Sequence, residues 1–397
     1  MHFGGRTIAH RPMRQSPSAE GTTAEGYRQR KMQQVQTPNQ VKTNYNKQNS
    51  RHESAFLYFC IMQNQNGMAN KQTDNEVFKI SVVMATYNGA RYLPEQLDSI
   101  IAQDYPISEI IVQDDGSADD TMQILNSYAK QHPYIKVFRN TGTHGINGNF
   151  FSAMRRATGD YIAISDQDDI WEKDKLSTQA NAIGSHAMCS GFSKPFSSDG
   201  FPIKTDMRRP NLHLIRNTYL SQIPGHTMLF KRELLDYLKD GDHMTLYYDW
   251  QLACVASAME SIVFVDKTMV HFRRHADAAT ATLPVSNTLL SAGAWKYVST
   301  SLFHHRALQR EVRNRFKIVL PFLEKLPFNT QSLHDAIQMS RLQTRRTPVA
   351  FCKRIAFFVS HSHCIFHTEE HRPLIRILRA VFFVYSCGYY YRSHLKK

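Results

Sequence analysis

The chain has 397 residues, 42% of them apolar and 21% charged, enough apolar material for a sizeable core, which excludes wholesale disorder. Its formal charge of +14 sits at the ends: residues 1–75 carry +6, residues 341–397 carry +9, and the stretch between is at −1. A near-neutral middle flanked by basic ends argues against a nucleic-acid-reading core and for contact with an anionic surface.

Residues 1–75 are rich in Gln, Asn, Ser, Thr and Arg, without helical or strand period, and read as a disordered basic extension. Met62 or Met68 would serve equally well as the start of the protein. No run of eighteen apolar residues occurs and the first thirty residues are polar and basic, so neither a spanning helix nor a secretory signal is expected. The six cysteines form no CxxC pair and read as reduced, cytosolic and mostly buried.

From Phe78 the texture changes. Ile80–Met84 is a continuous apolar run, the mark of a strand buried on both faces, and ends in the turn cluster Ala85–Gly89. Leu93, Leu97, Ile100 and Ile101 follow at helical spacing. A second strand, Ile110–Val112, runs into Gln113–Ser117, and Asp119 or Asp120 can cap the helix after it. A third strand over Ile135–Phe138, a Gly-rich loop, a short helix near Phe150–Ala157 and a fourth strand over Tyr161–Ser165 complete the alternation. This pattern predicts an α/β fold with a parallel sheet covered by helices on both faces. Ligands of such sheets bind beyond the carboxyl ends of the strands, where Thr86–Asn88, Asp114–Asp115 and Asp166–Asp169 would converge.

Asp166, Asp168 and Asp169 place three carboxylates within four residues directly after a buried strand. They repel one another unless a cation compensates them, and Mg²⁺ or Mn²⁺ favours such oxygen ligands. A helix cap with a solvated acidic turn is the plainer alternative. The cluster also suits a metal-dependent nucleotidyltransferase or phosphohydrolase, although no GxxxxGK phosphate loop is present. A non-catalytic basic adaptor for membrane or nucleic acid is the third reading.

Ser81–Asn88 (SVVMATYN), Ile111–Thr121 (IVQDDGSADDT) and Asp166–Trp171 (DQDDIW) together resemble family 2 glycosyltransferases over roughly Lys79–His275, and the last string is most similar to the rhamnosyltransferase-like branch. The resemblance implies a GT-A fold (Rossmann-like) over residues 76–285, followed by a helical region over 286–397. It also implies inverting transfer of a sugar from a nucleotide-diphosphate donor to a lipid-linked or polysaccharide acceptor, in cell-surface polysaccharide synthesis. By motif position, Thr86, Tyr87 and Asn88 line the nucleoside pocket, and Asp115, with Asp114 beside it, meets base and ribose. Asp166 and Asp168 match the DxD motif, whose second aspartate holds the metal on the diphosphate, and Asn149 sits near the donor. Tyr248-Asp249-Trp250 is similar to the segment that holds the base, so Asp249 is the implied catalytic group; as an alternative it caps the following helix. His275 of His271–His275 is similar to a histidine that approaches the metal. Gly225–Phe230 looks like an acceptor-side turn and strand, in which His226 departs from the family pattern.

Leu374, Ile375, Leu378, Val381 and Phe382 form an apolar stripe flanked by Arg372, Arg376 and Arg379, and the chain ends on Tyr389–Arg392 and two lysines. That pattern predicts an interfacial helix on an anionic membrane, hence a cytoplasmic protein peripheral on the cytosolic face. A helix packed on the catalytic domain is the alternative. His363, His367 and His371 share a helical face, but their spacing matches no structural zinc site.

Overall fold

The computed structural model describes residues 78–203, 205, 207–238, 247–275, 303–366 and 370–394. The expected disordered extension and the expected boundary at 285/286 lie outside these residues. Eight strands form one sheet in the order β3-β2-β1-β4-β7-β6-β8-β5. They are β1 (Ile80–Thr86), β2 (Ile107–Asp114), β3 (Ile135–Arg139), β4 (Tyr161–Ser165), β5 (Ile170–Trp171), β6 (Met188–Phe196), β7 (Leu229–Lys231) and β8 (Ile262–Arg273). The first half behaves as the sequence predicts: β1 pairs in parallel with both β2 and β4, and β2 with β3.

The second half is mixed: β6 and β8 pair in parallel, but the other pairings are not parallel. Strand β7 runs antiparallel to β4 and β6, and β5 runs antiparallel to β8. Short strands such as β7 carry too little period to be read from sequence, and the antiparallel pairings join segments far apart in the chain. Their register is what builds the site. Ala163 pairs with Leu229, and the same register continued past β4 sets His226 opposite Asp166. The Ile170–His271 pair likewise carries the end of β8 alongside Asp168 and Asp169.

Alternation along β1 feeds two cores. Val82 and Met84 face one side with Leu93, Leu97 and Ile100 of α1 (Leu93–Ile101) and Leu125 of α2 (Thr121–Gln131). Val83 faces the other side with Phe150, Phe151 and Met154 of α3 (Ile146–Arg156). The first side is closed further by Leu176 and Ile183 of α4 (Lys175–Ile183). The second core continues through Leu214 and Tyr219 of α5 (Leu214–Tyr219) and Leu252 and Val255 of α6 (Tyr248–Ala258). It extends without a break into α7 (His305–Leu323), α8 (Gln331–Thr344), α9 (Pro348–Ser360) and α10 (Pro373–His394). The carboxyl-terminal helices therefore share a core with the sheet, and the described residues form one compact unit.

Helix α10 divides in two. Its second half is sealed against α7 by Ala380, Phe383, Val384, Cys387 and Tyr391. Its first half leaves Leu374, Ile377 and Leu378 between 44% and 68% exposed. Of the expected stripe, Leu374 and Leu378 are thus open, while Ile375, Val381 and Phe382 are half-buried. Among the described residues no helix is long and apolar enough to cross a membrane.

At Gly388 the two helices approach so closely that a Cβ would lie 2.5 Å from the Leu308 carbonyl oxygen. Gly388→Val should therefore lift α10 from α7 and cost about 1–3 kcal/mol, the usual scale for overpacking. Chemical denaturation measures this, and an unchanged unfolding midpoint would show that α10 does not depend on the contact.

Candidate active site

Three strand-end loops meet as the sequence predicts, and several of the expected donor residues also make bonds within the protein. The Asp114 carboxylate is buried and accepts from the amides of Gly116 (3.1 Å) and Ser117 (2.9 Å) and from Thr86 Oγ1 (3.1 Å). Asn149 is buried as well, its Nδ2 donating to the Gln113 carbonyl at 2.9 Å. Asn88 adopts φ +47°, its amide donating to Ser117 Oγ and its Oδ1 accepting from the Ala118 amide. These bonds fasten the strand-end loops to one another, while Asn149 Oδ1 is buried without a hydrogen-bond partner among the described residues. Tyr87, 58% exposed, and Asn88 are the open members of the first cluster.

Asp115 accepts from Asn140 Nδ2 (2.7 Å) and the Gly145 amide (2.7 Å) and contacts His144 Nδ1 (2.9 Å). It thereby ties the Gly-rich loop to the end of β2. Gln167, unremarked in the sequence, exchanges two hydrogen bonds with the Tyr87 backbone: it accepts from the amide at 2.9 Å and donates to the carbonyl at 3.1 Å. The amide packs so tightly that a Cβ on Gly89 would overlap it, which explains the glycine.

The acidic cluster is held by basic side chains from two distant segments. His226 Nδ1 lies 3.1 Å from Asp166 Oδ2 and 3.5 Å from Asp169 Oδ2, with its Nε2 2.7 Å from Ser193 Oγ. His275 Nε2 lies 2.9 Å from Asp168 Oδ2. The Arg273 amide donates to Asp169 Oδ1 (3.0 Å) and its Nε to the Asp168 carbonyl (2.9 Å). Its guanidinium is clamped between the rings of Tyr92 and Phe196, 4.6 and 4.5 Å from their centres, and paired with Glu95.

Burial pushes the Asp169 carboxyl up to about 8, helped by Asp166 and Asp168 and opposed by His226. Burial and Asp166 also raise Asp168, against His275. His226 is raised even though burial works against it, because Asp169 and Asp166 favour its charged form.

The residues fit a divalent cation. Asp166, Asp169 and His226 bring ligand atoms within 4.8 Å of one another, and Asp169 Oδ2 is buried without a hydrogen-bond partner. Of the ligands expected from sequence, Asp166 belongs to this group, whereas Asp168 and His275 form a separate pair beside it. Asp169 belongs to the acidic cluster read from the sequence but not to its DxD pair, and His226 is the member that sequence reasoning did not assign. The His361–His371 tract contributes no such group among the described residues: His363 contacts Cys364 and His361 faces Asp335 at 3.7 Å, while His367 lies outside them.

Asp249 occupies the first turn of α6, one residue inside the helix, and Tyr247 is the residue at the cap. Asn147 Oδ1 accepts from the Tyr248 amide at 2.9 Å and does the capping work expected of Asp249. The Asp249 carboxylate accepts only a short-range bond, from the Trp250 amide at 2.7 Å. Burial pushes its pKa up to about 6; the Trp250 amide opposes this, while nearby Asp166 adds to it and His226 counters. Burial here outweighs the favourable end of the helix dipole.

Residues 81–238 match the family model for glycosyl transferase family 2, and the sheet, with its Rossmann-like parallel half, is that of a GT-A domain with a helical carboxyl-terminal region. An uncharacterized protein of Mycobacterium tuberculosis is 28% identical over 211 residues, covering 50% of this chain and 59% of that protein. A putative teichuronic acid biosynthesis glycosyltransferase of Bacillus subtilis is 32% identical over 133 residues, 33% of this chain and 53% of the relative. The GalNAc(5)-diNAcBac-PP-undecaprenol beta-1,3-glucosyltransferase of Campylobacter jejuni is 29% identical over 170 residues, 40% of this chain and 53% of the relative. The chain thus spans between one half and two thirds of these relatives' lengths. A solved structure of S. aureus TarS 1–349 with UDP-GlcNAc superposes with a TM-score of 0.48 at 18% identity, over 79% of this chain and 92% of that one.

The titrations of the cluster share one sign. Asp169, raised far above its ordinary value of about 3.9, costs stability increasingly as pH rises towards about 8. His226, raised above its ordinary value of about 6.5, contributes stability at low pH and loses it as pH climbs through the raised value. Metal-free protein should therefore melt at a lower temperature at pH 9 than at pH 6, and Mn²⁺ should restore more at pH 9. Melting curves in EDTA and in Mn²⁺ test this; parallel, flat profiles would refute it.

Proposed function

We propose that this chain, whose residues 81–238 form a glycosyl transferase family 2 domain, transfers a hexosyl or rhamnosyl group from a nucleotide-diphosphate sugar to a lipid-linked or saccharide acceptor, with inversion. The observation that carries the reading is the placement of Asp249, a carboxylate lifted to about 6, within electrostatic reach of the Asp166 cluster. One side of the site concentrates charge that suits a diphosphate and its cation, and the neighbouring side offers a base poised to work near neutral pH.

In this mechanism the acceptor hydroxyl oxygen attacks the anomeric carbon as the bond to the diphosphate oxygen breaks. The hydroxyl proton passes to Asp249, and the electron pair leaves with the nucleoside diphosphate. Bound Mg²⁺ or Mn²⁺ would supply charge stabilisation on the departing diphosphate. Asp166, Asp169 and His226 would hold that ion, with the Asp168–His275 pair beside them. Tyr87 would stack on the nucleoside, and Asp115 would exchange its bond to His144, a side chain 66% exposed, for one to the base. Thr86, Asn88, Asp114 and Asn149 keep that pocket in shape.

The relative that acts on an undecaprenol-linked glycan supports a lipid-linked acceptor, and the teichuronic acid relative supports a place in polysaccharide synthesis. Such an acceptor lies at a membrane. The open half of α10, with Leu374, Ile377 and Leu378 exposed beside Arg372, Arg376 and Arg379, supports peripheral docking on the anionic cytosolic face.

Asp249→Asn should lower transfer about 10²–10⁴-fold, because an amide cannot take the proton. Nucleotide-sugar binding should persist, and so should stability, since Asn147 does the capping. In the wild type, transfer should rise with pH through a midpoint near 6, as Asp249 loses its proton. Release of nucleoside diphosphate from a nucleotide-sugar panel reads the rate and its pH profile, and melting curves with and without the nucleotide-sugar read binding and stability; an active variant, or release of monophosphate, would remove Asp249 or the reaction class respectively.

Replacing Leu374, Ile377 and Leu378 together by Asp should abolish sedimentation with phosphatidylglycerol vesicles and leave the melting temperature near that of the wild type, since all three are exposed. Equal sedimentation of both proteins would disprove docking through this face.

A further inference from the structure

The end of α10 reaches the neighbourhood of the candidate base. Close packing at Gly388 brings the next turn down onto α7. Tyr391 is then fixed in the core, 3% exposed, its hydroxyl donating to the Tyr219 carbonyl. The Arg315 guanidinium lies 5.0 Å from the Tyr391 ring centre and stacks on the indole of Trp250. The Trp250 amide, in turn, donates to Asp249 Oδ1. A continuous stack therefore links Tyr391 through Arg315 and Trp250 to Asp249.

Tyr389 and Tyr390, the two residues before this anchor, are each 36% exposed. The Tyr390 ring stands 6.4 Å from that of Tyr391 at 75°, so the anchor orients it. Its hydroxyl lies within electrostatic reach of Asp249 and Tyr247, which together with burial raise its pKa. A tyrosine at such a place offers an apolar face and a polar tip, which matches a sugar ring that presents C–H groups on its faces and hydroxyls around its edge.

We infer that Tyr390, with Tyr389 beside it, is the platform on which the acceptor's sugar ring stacks while its hydroxyl faces Asp249. The inference rests on the glycosyltransferase reading above and adds the acceptor subsite to it. It gives the carboxyl-terminal helices a role in acceptor choice, because the platform belongs to α10 and the base to α6.

The test uses full-length protein and a panel of methyl glycosides of glucose, galactose, N-acetylglucosamine and rhamnose. Saturation-transfer NMR detects contact with the protein, with Mn²⁺ and UDP, GDP or dTDP present or omitted. Wild-type protein should saturate the ring protons of at least one glycoside. Tyr390→Ala should weaken that glycoside's binding about three- to tenfold, the scale of one aromatic contact. Tyr390→Phe should bind as the wild type does, since the ring is kept. Both variants should melt with the wild type and keep their stabilisation by nucleotide-sugar. The platform is refuted if the wild type saturates no glycoside, if Tyr390→Ala binds unchanged, or if Tyr390→Phe loses as much as Tyr390→Ala. It is also refuted if Tyr390→Ala instead loses phosphatidylglycerol vesicles, which would assign the ring to lipid. Absence of nucleotide-sugar stabilisation in the wild type would count against the glycosyltransferase reading itself, a separate result.

Discussion

Three carboxylates at the end of one buried strand are the constraint around which this structure is arranged. Asp166, Asp168 and Asp169 would repel one another in a low-dielectric setting, and a carboxylate as buried as Asp169 is costly to ionise at all. The protein offsets this locally, with His226 between Asp166 and Asp169, His275 on Asp168, and the Arg273 amide and guanidinium on the turn. None of these partners is near in sequence. The antiparallel pairings of β7 with β4 and of β5 with β8 deliver them, so the mixed half of the sheet brings His226, Arg273 and His275 to the end of the parallel half.

The parallel half and its pocket were legible because their signals are local. Buried strands show as continuous apolar runs, α1 shows as a four-residue period, and loops that must bind charge show as Asp clusters after each strand. What escaped had no local signal. His226 looks like a stray residue in a short turn, and only the β4–β7 register, which joins positions sixty residues apart, makes it the partner of Asp166. Gln167 sat unnoticed between aspartates, although its two bonds to Tyr87 and its contact with Gly89 fasten the first motif to the third. Conversely, Asp114 and Asn149 were legible as site residues, but their carboxylate and amide turn inward. Sequence position alone does not separate a wall from the groups that line it.

Capping illustrates the same point. An acidic residue at the start of a helix is the textual mark of a cap, and Asp249 has that mark. The Tyr248 amide is satisfied instead by Asn147, from a helix a hundred residues upstream. Asp249 itself meets only the next free amide of the turn, that of Trp250, a bond that an uncharged oxygen could equally accept. A carboxyl that is buried and lifted to about 6 is costly for so small a local return.

Asp169 and Asp249 are both buried carboxyls, yet their surroundings separate them. Asp169 has neighbours of both signs and a raised pKa of about 8, so without a cation it holds a proton through neutral pH. Asp249 has one close hydrogen bond and more distant neighbours, and ionises near 6. The two buried acids are thus set about two pH units apart by environment. The stack Trp250–Arg315–Tyr391 reaches outward from Asp249, since the helix that carries it is braced by the carboxyl-terminal helices. Any shift of α10 on α7 would then be felt first at Trp250, and through its amide at Asp249, before it reached the acidic cluster.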